Sequence, residues 1–196
     1  LIGIFFIVLL YFSGSIPFSY LIPKKIKGVN IREYGSGNVG ATNVIRSLGT
    51  GIGILCMVLD ALKVFIPLLL MQFILRNNPN LQLYVCFASF AGVLGHDYPV
   101  FLGFKGGKGV ACTMGVFFGL HWLTGLLFLL TALSIALSTR IMSLASLISL
   151  VISVIVVFPI TQNWYYFTLY IALCLFSFFQ HRKNILRLFQ GKENRF

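Results

Sequence analysis

Long apolar runs separated by short polar stretches occupy most of the chain, at about residues 1–22, 51–75, 81–95, 110–137, 141–160 and 164–180. A helix needs roughly 20 apolar residues to cross a hydrocarbon core about 30 Å thick, so these runs predict membrane-spanning helices. Arg76-Asn77-Asn78-Pro79-Asn80 and Pro159-Ile160-Thr161-Gln162-Asn163 mark turns between them. Taken singly, the runs give six spans, and the basic tail after His181 then falls on the face opposite the basic loop after Pro23. A hairpin within 110–137, turning near His121, raises the count to seven and brings 13 of the 15 bases to one side. These are five in 24–46, Lys105 and Lys108, Arg140, and five in 182–195; Arg76 lies on the other face and Lys63 within a span. Each half of the hairpin would hold about 14 residues and rise only about 20 Å, so local thinning or incomplete insertion is expected there. The fold expected is an all-α integral membrane protein, one bundle over residues 1–196 of about seven transmembrane helices, two of them short. Loops gather on the cytoplasmic face, and the C-terminal helix lies in the interface.

Composition agrees with a lipid solvent. Only 10% of residues are charged and 58% are hydrophobic, against roughly a quarter charged in soluble domains. A net charge of +11 would suggest nucleic acid in a soluble protein. Here the bases sit between or after apolar runs, which suits membrane topology, anionic lipid headgroups or a phosphorylated substrate, and no nucleic-acid partner is expected. The first run has no basic start and no small-residue cleavage site, so it is expected to be a span rather than a signal peptide. Cys56, Cys86, Cys112 and Cys174 lack C-x-x-C spacing and are expected to pack as small hydrophobes, with neither zinc nor redox chemistry indicated.

Three polar segments carry candidate chemistry. The first, Gly35 to Arg46, is a glycine-rich loop feeding a short helix that should end near Gly49. Its backbone N–H groups at Gly37 and Gly40 and its Ser36, Asn38, Thr42 and Asn43 side chains suit an anion. Arg46, on the same helical face as Thr42, can fork onto a phosphate. The G-x-G-x-x-G spelled by Gly35, Gly37 and Gly40, with Asp60 downstream, is a decoy, since Asp60 sits in an apolar helix-length run rather than a βαβ unit. The second segment, Gly95 to Gly109, sets Lys105 and Lys108 around Gly106 and Gly107 without the spacing of an ATP-binding P-loop. The third, His181 to Phe189, follows the last run and is amphipathic, with His181 and Asn184 on one face. Asp60 and Lys63, three apart within a span, are expected to form a structural ion pair. A transporter for phosphorylated solutes is the main rival reading, but it would place polar groups near the bilayer midplane, not at one interface. A purely structural lipid-binding protein would not require glycine-framed lysines.

Together these segments closely resemble the bacterial acyl-phosphate:glycerol-3-phosphate acyltransferase family of the PlsY type. Its patterns G-S-G-N-x-G-A-T-N, G-H-x-x-P-x-F-x-x-F-K-G-G-K-G-V-A and H-R-x-N-I-x-R-L all match, in order, between residues 35 and 188. Val39, Cys112 and Val64 depart from the residues common there. The resemblance implies acyl transfer from acyl phosphate to the 1-hydroxyl of glycerol 3-phosphate, without a cofactor or an obligate protein partner. It implies a multi-pass protein of the bacterial cell membrane, with its N-terminus outside and its C-terminus and active site on the cytoplasmic side. Ser36, Arg46, Lys105, His181 and Asn184 would grip the glycerol 3-phosphate phosphate. Gly37, Asn38, Gly40, Thr42, Asn43, Gly106, Gly107 and Lys108 would shape the site, with His181, Lys105 and Arg46 as the catalytic candidates. No histidine here has an acid five residues later, so the H-x-x-x-x-D signature of the acyl-CoA-using acyltransferases is missing.

Overall fold

The computed structural model describes residues 1–196 as ten α-helices and two short 3-10 turns, with no strand. The helices are α1 (Ile2–Ser15), α2 (Phe18–Lys27), α3 (Ala41–Leu48), α4 (Thr50–Ile74), α5 (Leu81–Asp97), α6 (Val110–Leu120), α7 (Trp122–Thr139), α8 (Met142–Thr161), α9 (Trp164–Gln180) and α10 (Arg182–Phe189). Five stretches are long and apolar enough to cross a membrane: Ile2–Lys27 taken across its break, Thr50–Ile74, Leu81–Leu102, Trp122–Thr139 and Met142–Thr161. Val110–Leu120 and Trp164–Gln180 are shorter apolar helices. The apolar run 110–137 breaks at His121, into helices of 11 and 18 residues rather than two of about 14. The chain forms two compact units, Leu1–Val116 and Phe117–Phe196.

In the first unit, the expected single span over 1–22 is broken at Ile16-Pro17. Pro17 has no N–H to continue the helix, so backbone groups are released at a depth where water cannot serve them. The protein serves them instead: Lys63 Nζ donates to the Ile16 carbonyl (2.7 Å), and in return Ser13 Oγ donates to the Lys63 carbonyl (2.5 Å), which Pro67 leaves without a helical donor. Close approach of α1 to α5 depends on small residues. A Cβ on Gly14 would collide with the Gly92 carbonyl, one on Gly95 would collide with the Tyr11 carbonyl, and Gly3 lies against the Tyr84 ring. The two helices therefore run parallel, packed without a conventional hydrophobic driving force but with close backbone contact. Likewise α6 rests on α4 where Gly115 meets the Ala61 carbonyl. Short α3 is amphipathic and buries Val44 with Ile31 and Cys56, flanked by Tyr20, Ile22 and Ile52. At Gly53 an added Cβ would stand 2.8 Å from the Ile45 amide nitrogen, so α4 accepts α3 only through a glycine. This anchors the glycine-rich loop ahead of α3 to two spans.

The second unit is an up-down-up arrangement of α7, α8 and α9 joined by short turns. Its core stacks Phe117 on Tyr170 (centroids 3.8 Å apart) with Phe128 edge-on to Phe117, and the buried Tyr170 hydroxyl is satisfied by Thr124 (2.7 Å). Trp122 and Trp164, 65% and 64% exposed, begin α7 and α9 and so share one end of the unit. Arg140 and His181 lie at the other end, where the last residues fold back so that the Phe196 amide meets the Arg140 carbonyl (3.1 Å). Tryptophans at one end and bases at the other are the pattern of a bundle seated between two membrane interfaces.

Candidate active site

Asn43 organises the first loop from within. This buried amide donates to the carbonyls of Ile31 (3.2 Å), Tyr34 (3.0 Å) and Asn38 (3.1 Å), while its Oδ1 accepts from the Ser36 amide (2.9 Å). Both donors and the acceptor are thus committed to the loop's own backbone. The amides of Gly37 and Gly40 are also engaged, with Tyr34 and Asn38 carbonyls (both 3.0 Å). Gly35 and Gly37 have φ of +56° and +71°, the left-handed region that glycine enters without strain. The loop thereby presents Ser36 to solvent and carries Thr42 and Arg46 on α3, both partly exposed. Helix α3 stops at Leu48 with Gly49 beyond it at φ +95°, as the sequence predicts. Asn43→Ala is expected to leave several buried backbone groups without partners, at about 1–3 kcal/mol each, and to release the loop. Hydrogen exchange at the Ser36 amide, much faster in the variant, checks this.

The second loop is held the same way. The Gly106 amide donates to the Asp97 carbonyl (3.1 Å) and the Gly107 amide to the His96 carbonyl (3.2 Å). In the first loop the Gly37 and Gly40 amides, expected to face an anion, likewise meet carbonyls. At Gly37, Gly40, Gly106 and Gly107 the N–H groups close the loops, and side chains are left to supply the charge. A Cβ on Gly106 would collide with the His96 carbonyl, so the loop hugs the end of α5. Gly103 and Phe104 are consecutive left-handed residues (φ +61° and +62°). For a bulky residue that costs about 1–2 kcal/mol, strain held at the residue that aims Lys105 outward. Lys105 is exposed and Lys108 partly so.

The two loops meet at Gly107. A Cβ there would collide with His96 Nε2 and stand 2.7 Å from the Val39 carbonyl, so the second loop lies directly on both α5 and the first loop. Beneath this junction Lys63 Nζ contacts Asp60 Oδ1 (2.8 Å) and His96 Nδ1 (3.0 Å), and Ser19 Oγ donates to Asp60 Oδ2 (2.7 Å). The expected Asp60–Lys63 ion pair is present, with both side chains almost wholly buried.

In the second unit His181 and Asn184 are buried near the junction of α9 and α10. The His181 Nδ1 lies 2.8 Å from the Ser177 carbonyl, which can only accept, so Nδ1 carries the ring proton and the basic lone pair is on Nε2. Asn184 Nδ2 donates to Glu193 Oε1 (2.5 Å), which also accepts from Ser143 Oγ (2.9 Å), while Arg187 Nε donates to Oε2 (2.7 Å). Glu193 was not among the residues the sequence picks out. Its signal there is that it is one of only four acids in a chain of charge +11, set in a basic tail. Burial pushes the Glu193 carboxyl up, but hydrogen bonds from Arg187, Asn184 and Ser143 and the Arg187 charge outweigh it and hold the group below its ordinary 4.5. A depressed pKa stabilises the fold above the unfolded value and loses that contribution as pH falls through the folded value. Glu193→Gln is therefore expected to lower the apparent unfolding temperature at pH 7, by the equivalent of about 1–3 kcal/mol, with the difference shrinking as pH falls below the ordinary 4.5 and through the lower folded-state value. Parallel melts of the two proteins from pH 7 to pH 3 check it.

The sequence profile of the glycerol-3-phosphate acyltransferases matches residues 4–191. The chain belongs to the glycerol-3-phosphate acyltransferase family. Among its relatives, glycerol-3-phosphate acyltransferase 2 of Thermotoga maritima is 46% identical over 97% of this chain and 94% of its own length. The glycerol-3-phosphate acyltransferase of Fusobacterium nucleatum is 40% identical over 97% and 96%. The crystal structure of PlsY (YgiH), an integral membrane glycerol 3-phosphate acyltransferase, in its glycerol 3-phosphate form superposes with a TM-score of 0.91 at 41% identity, over 99% of this chain and 95% of that one. Its lysophosphatidic acid form gives 0.90 at 40%. The family's first two motifs are those whose loops touch at Val39 and Gly107. Within the first unit the fold brings the Ser36 and Arg46 loop to the Lys105 loop, and within the second it sets His181 and Asn184 on one buried turn. The protein is a multi-pass membrane acyltransferase of this family.

Proposed function

We propose that the protein transfers a fatty acyl group from acyl phosphate to the 1-hydroxyl of glycerol 3-phosphate, giving 1-acylglycerol 3-phosphate and inorganic phosphate. The hydroxyl oxygen attacks the acyl carbonyl carbon, the carbon–oxygen bond to phosphate breaks, and the hydroxyl proton passes to His181 Nε2 or to a phosphate oxygen. Acyl phosphate already carries a good leaving group, so the protein's task is orientation and stabilisation of negative charge on the carbonyl oxygen and departing phosphate. Ser36, Arg46, Lys105 and Asn184 hold the glycerol 3-phosphate phosphate, Arg46 through its planar fork, and His181 joins them as a donor once its Nε2 is protonated. Asn38, Thr42 and Lys108 line the site, and Asn43, Gly37, Gly40, Gly106 and Gly107 give the loops their shape. The basic loops and the basic tail face the cytoplasm of a bacterial cell, with the N-terminus outside and the C-terminus inside, where a small dianion arrives from water and an acyl chain from lipid. The chemistry calls for no metal or cofactor.

The observation that most supports this reading is the contact of two glycine-framed, cation-bearing loops at Val39 and Gly107. Purified protein given glycerol 3-phosphate should form lysophosphatidate with acyl phosphate and none with acyl-CoA. Product from acyl-CoA alone would remove the donor assignment, and no product from either would remove the activity.

A further inference from the structure

The ammonium of Lys63 has three protons and three acceptors around it: the Ile16 carbonyl (2.7 Å), Asp60 Oδ1 (2.8 Å) and His96 Nδ1 (3.0 Å). Asp60 and Lys63 alone would satisfy much of each other, which is the ordinary reason for a buried pair. A nitrogen that accepts from an ammonium bears no proton, so His96 is a neutral imidazole with its proton on Nε2, held in one orientation. That orientation matters because the Nε2 edge occupies the place where a Gly107 side chain would be, and the His96 carbonyl takes the Gly107 amide (3.2 Å). The imidazole is only 7% exposed and so is walled by protein rather than water.

We propose that Asp60, Lys63 and His96 are positioning residues for acyl transfer: Lys63, anchored by Asp60 and by the break between α1 and α2, locks the His96 ring as the seat on which the Lys105–Gly109 loop rests. This deepens the acyltransferase reading and rests on it. The relay links the depth of the bundle to Lys105 without any of its three members touching substrate. A small displacement of Lys105 is enough to reduce binding and rate, since misplacement by about 1 Å can cost on the order of a hundredfold.

Two measurements on the full-length protein in nanodiscs test it. With ¹⁵N-labelled histidine, only His96, His121 and His181 contribute ring signals, and the one lost in His96→Asn belongs to His96. The expected spectrum shows a bare Nδ1 and a protonated Nε2 for His96, with that pattern lost in Lys63→Met; a protonated Nδ1 overturns the proposal. The spectrum needs no activity, so it stands apart from the acyltransferase reading, which the wild-type assay tests by itself. In that assay His96→Asn, which can keep an acceptor for Lys63 but removes the ring edge beneath Gly107, is expected to raise the KM for glycerol 3-phosphate about tenfold or more. His96→Phe, which keeps a ring but loses the acceptor that Lys63 holds, is expected to raise that KM by a similar factor. An unchanged KM in either variant overturns the proposal, and the spectrum decides the matter where His96→Phe does not fold.

Discussion

Arg46→Ala is expected to raise the glycerol 3-phosphate requirement by about ten- to a hundredfold. A charge-assisted hydrogen bond contributes about 1.5–3 kcal/mol, and 1.4 kcal/mol is a factor of ten in binding. Arg46 sits on the last turn of α3, partly exposed, while Val44 supplies the buried face that ties this helix to Ile31 and Cys56. Truncation at 46 therefore removes charge from the site and leaves the anchoring face in place. Lys105→Ala should act the same way, since Lys105 is exposed and its loop is held by the Gly106 and Gly107 amides rather than by its side chain. Steady-state kinetics at saturating acyl phosphate, with melts of each variant, separate binding from folding. Unchanged KM in either variant removes that residue from the site.

Asp60→Ala is expected to be the most destabilising single change, at about 3–5 kcal/mol, because it strands the Lys63 charge in a buried setting and leaves Ser19 without its acceptor. Replacing both partners should cost less. In Asp60→Leu with Lys63→Met no charge is left unpaired, and apolar replacements of buried pairs are often near neutral. The double variant still forfeits the donor to the Ile16 carbonyl, about 1–3 kcal/mol, so it should fall between the single variant and wild type. Its stability recovers further than its activity, because the His96 ring remains unlocked. Denaturation midpoints in detergent check the order. A double variant less stable than Asp60→Ala would contradict a burial penalty as the cause.

Legibility of these features in the sequence followed the range of the interactions that make them. The end of α3 at Gly49 and the turn at His121 are local: a left-handed glycine in one case, an extended residue between two apolar stretches in the other. The Asp60–Lys63 pair was equally visible, three residues apart on one helix. The break at Ile16-Pro17 was not, because a lone proline in an apolar run ends a helix only where the freed carbonyl finds a donor, and that donor is 47 residues away. The same applies to the loop glycines. Spacing shows that Gly106 and Gly107 permit close approach, yet whether their amides face an anion or a carbonyl depends on where His96 and Asp97 end α5. Glu193 was missed because its partners lie on two helices, Ser143 on α8 and Asn184 with Arg187 on α10, that only the fold brings together.

Tyr34, Phe104 and Leu186 are exposed residues beside the first loop, the second loop and the tail turn. Single cysteines at these positions, challenged with a membrane-impermeant maleimide in intact cells and in inverted vesicles, test whether all three segments serve one site. All three are expected to react in inverted vesicles and to be shielded in intact cells; modification of Leu186→Cys from the outer side while the other two are shielded would contradict a single cytoplasmic site.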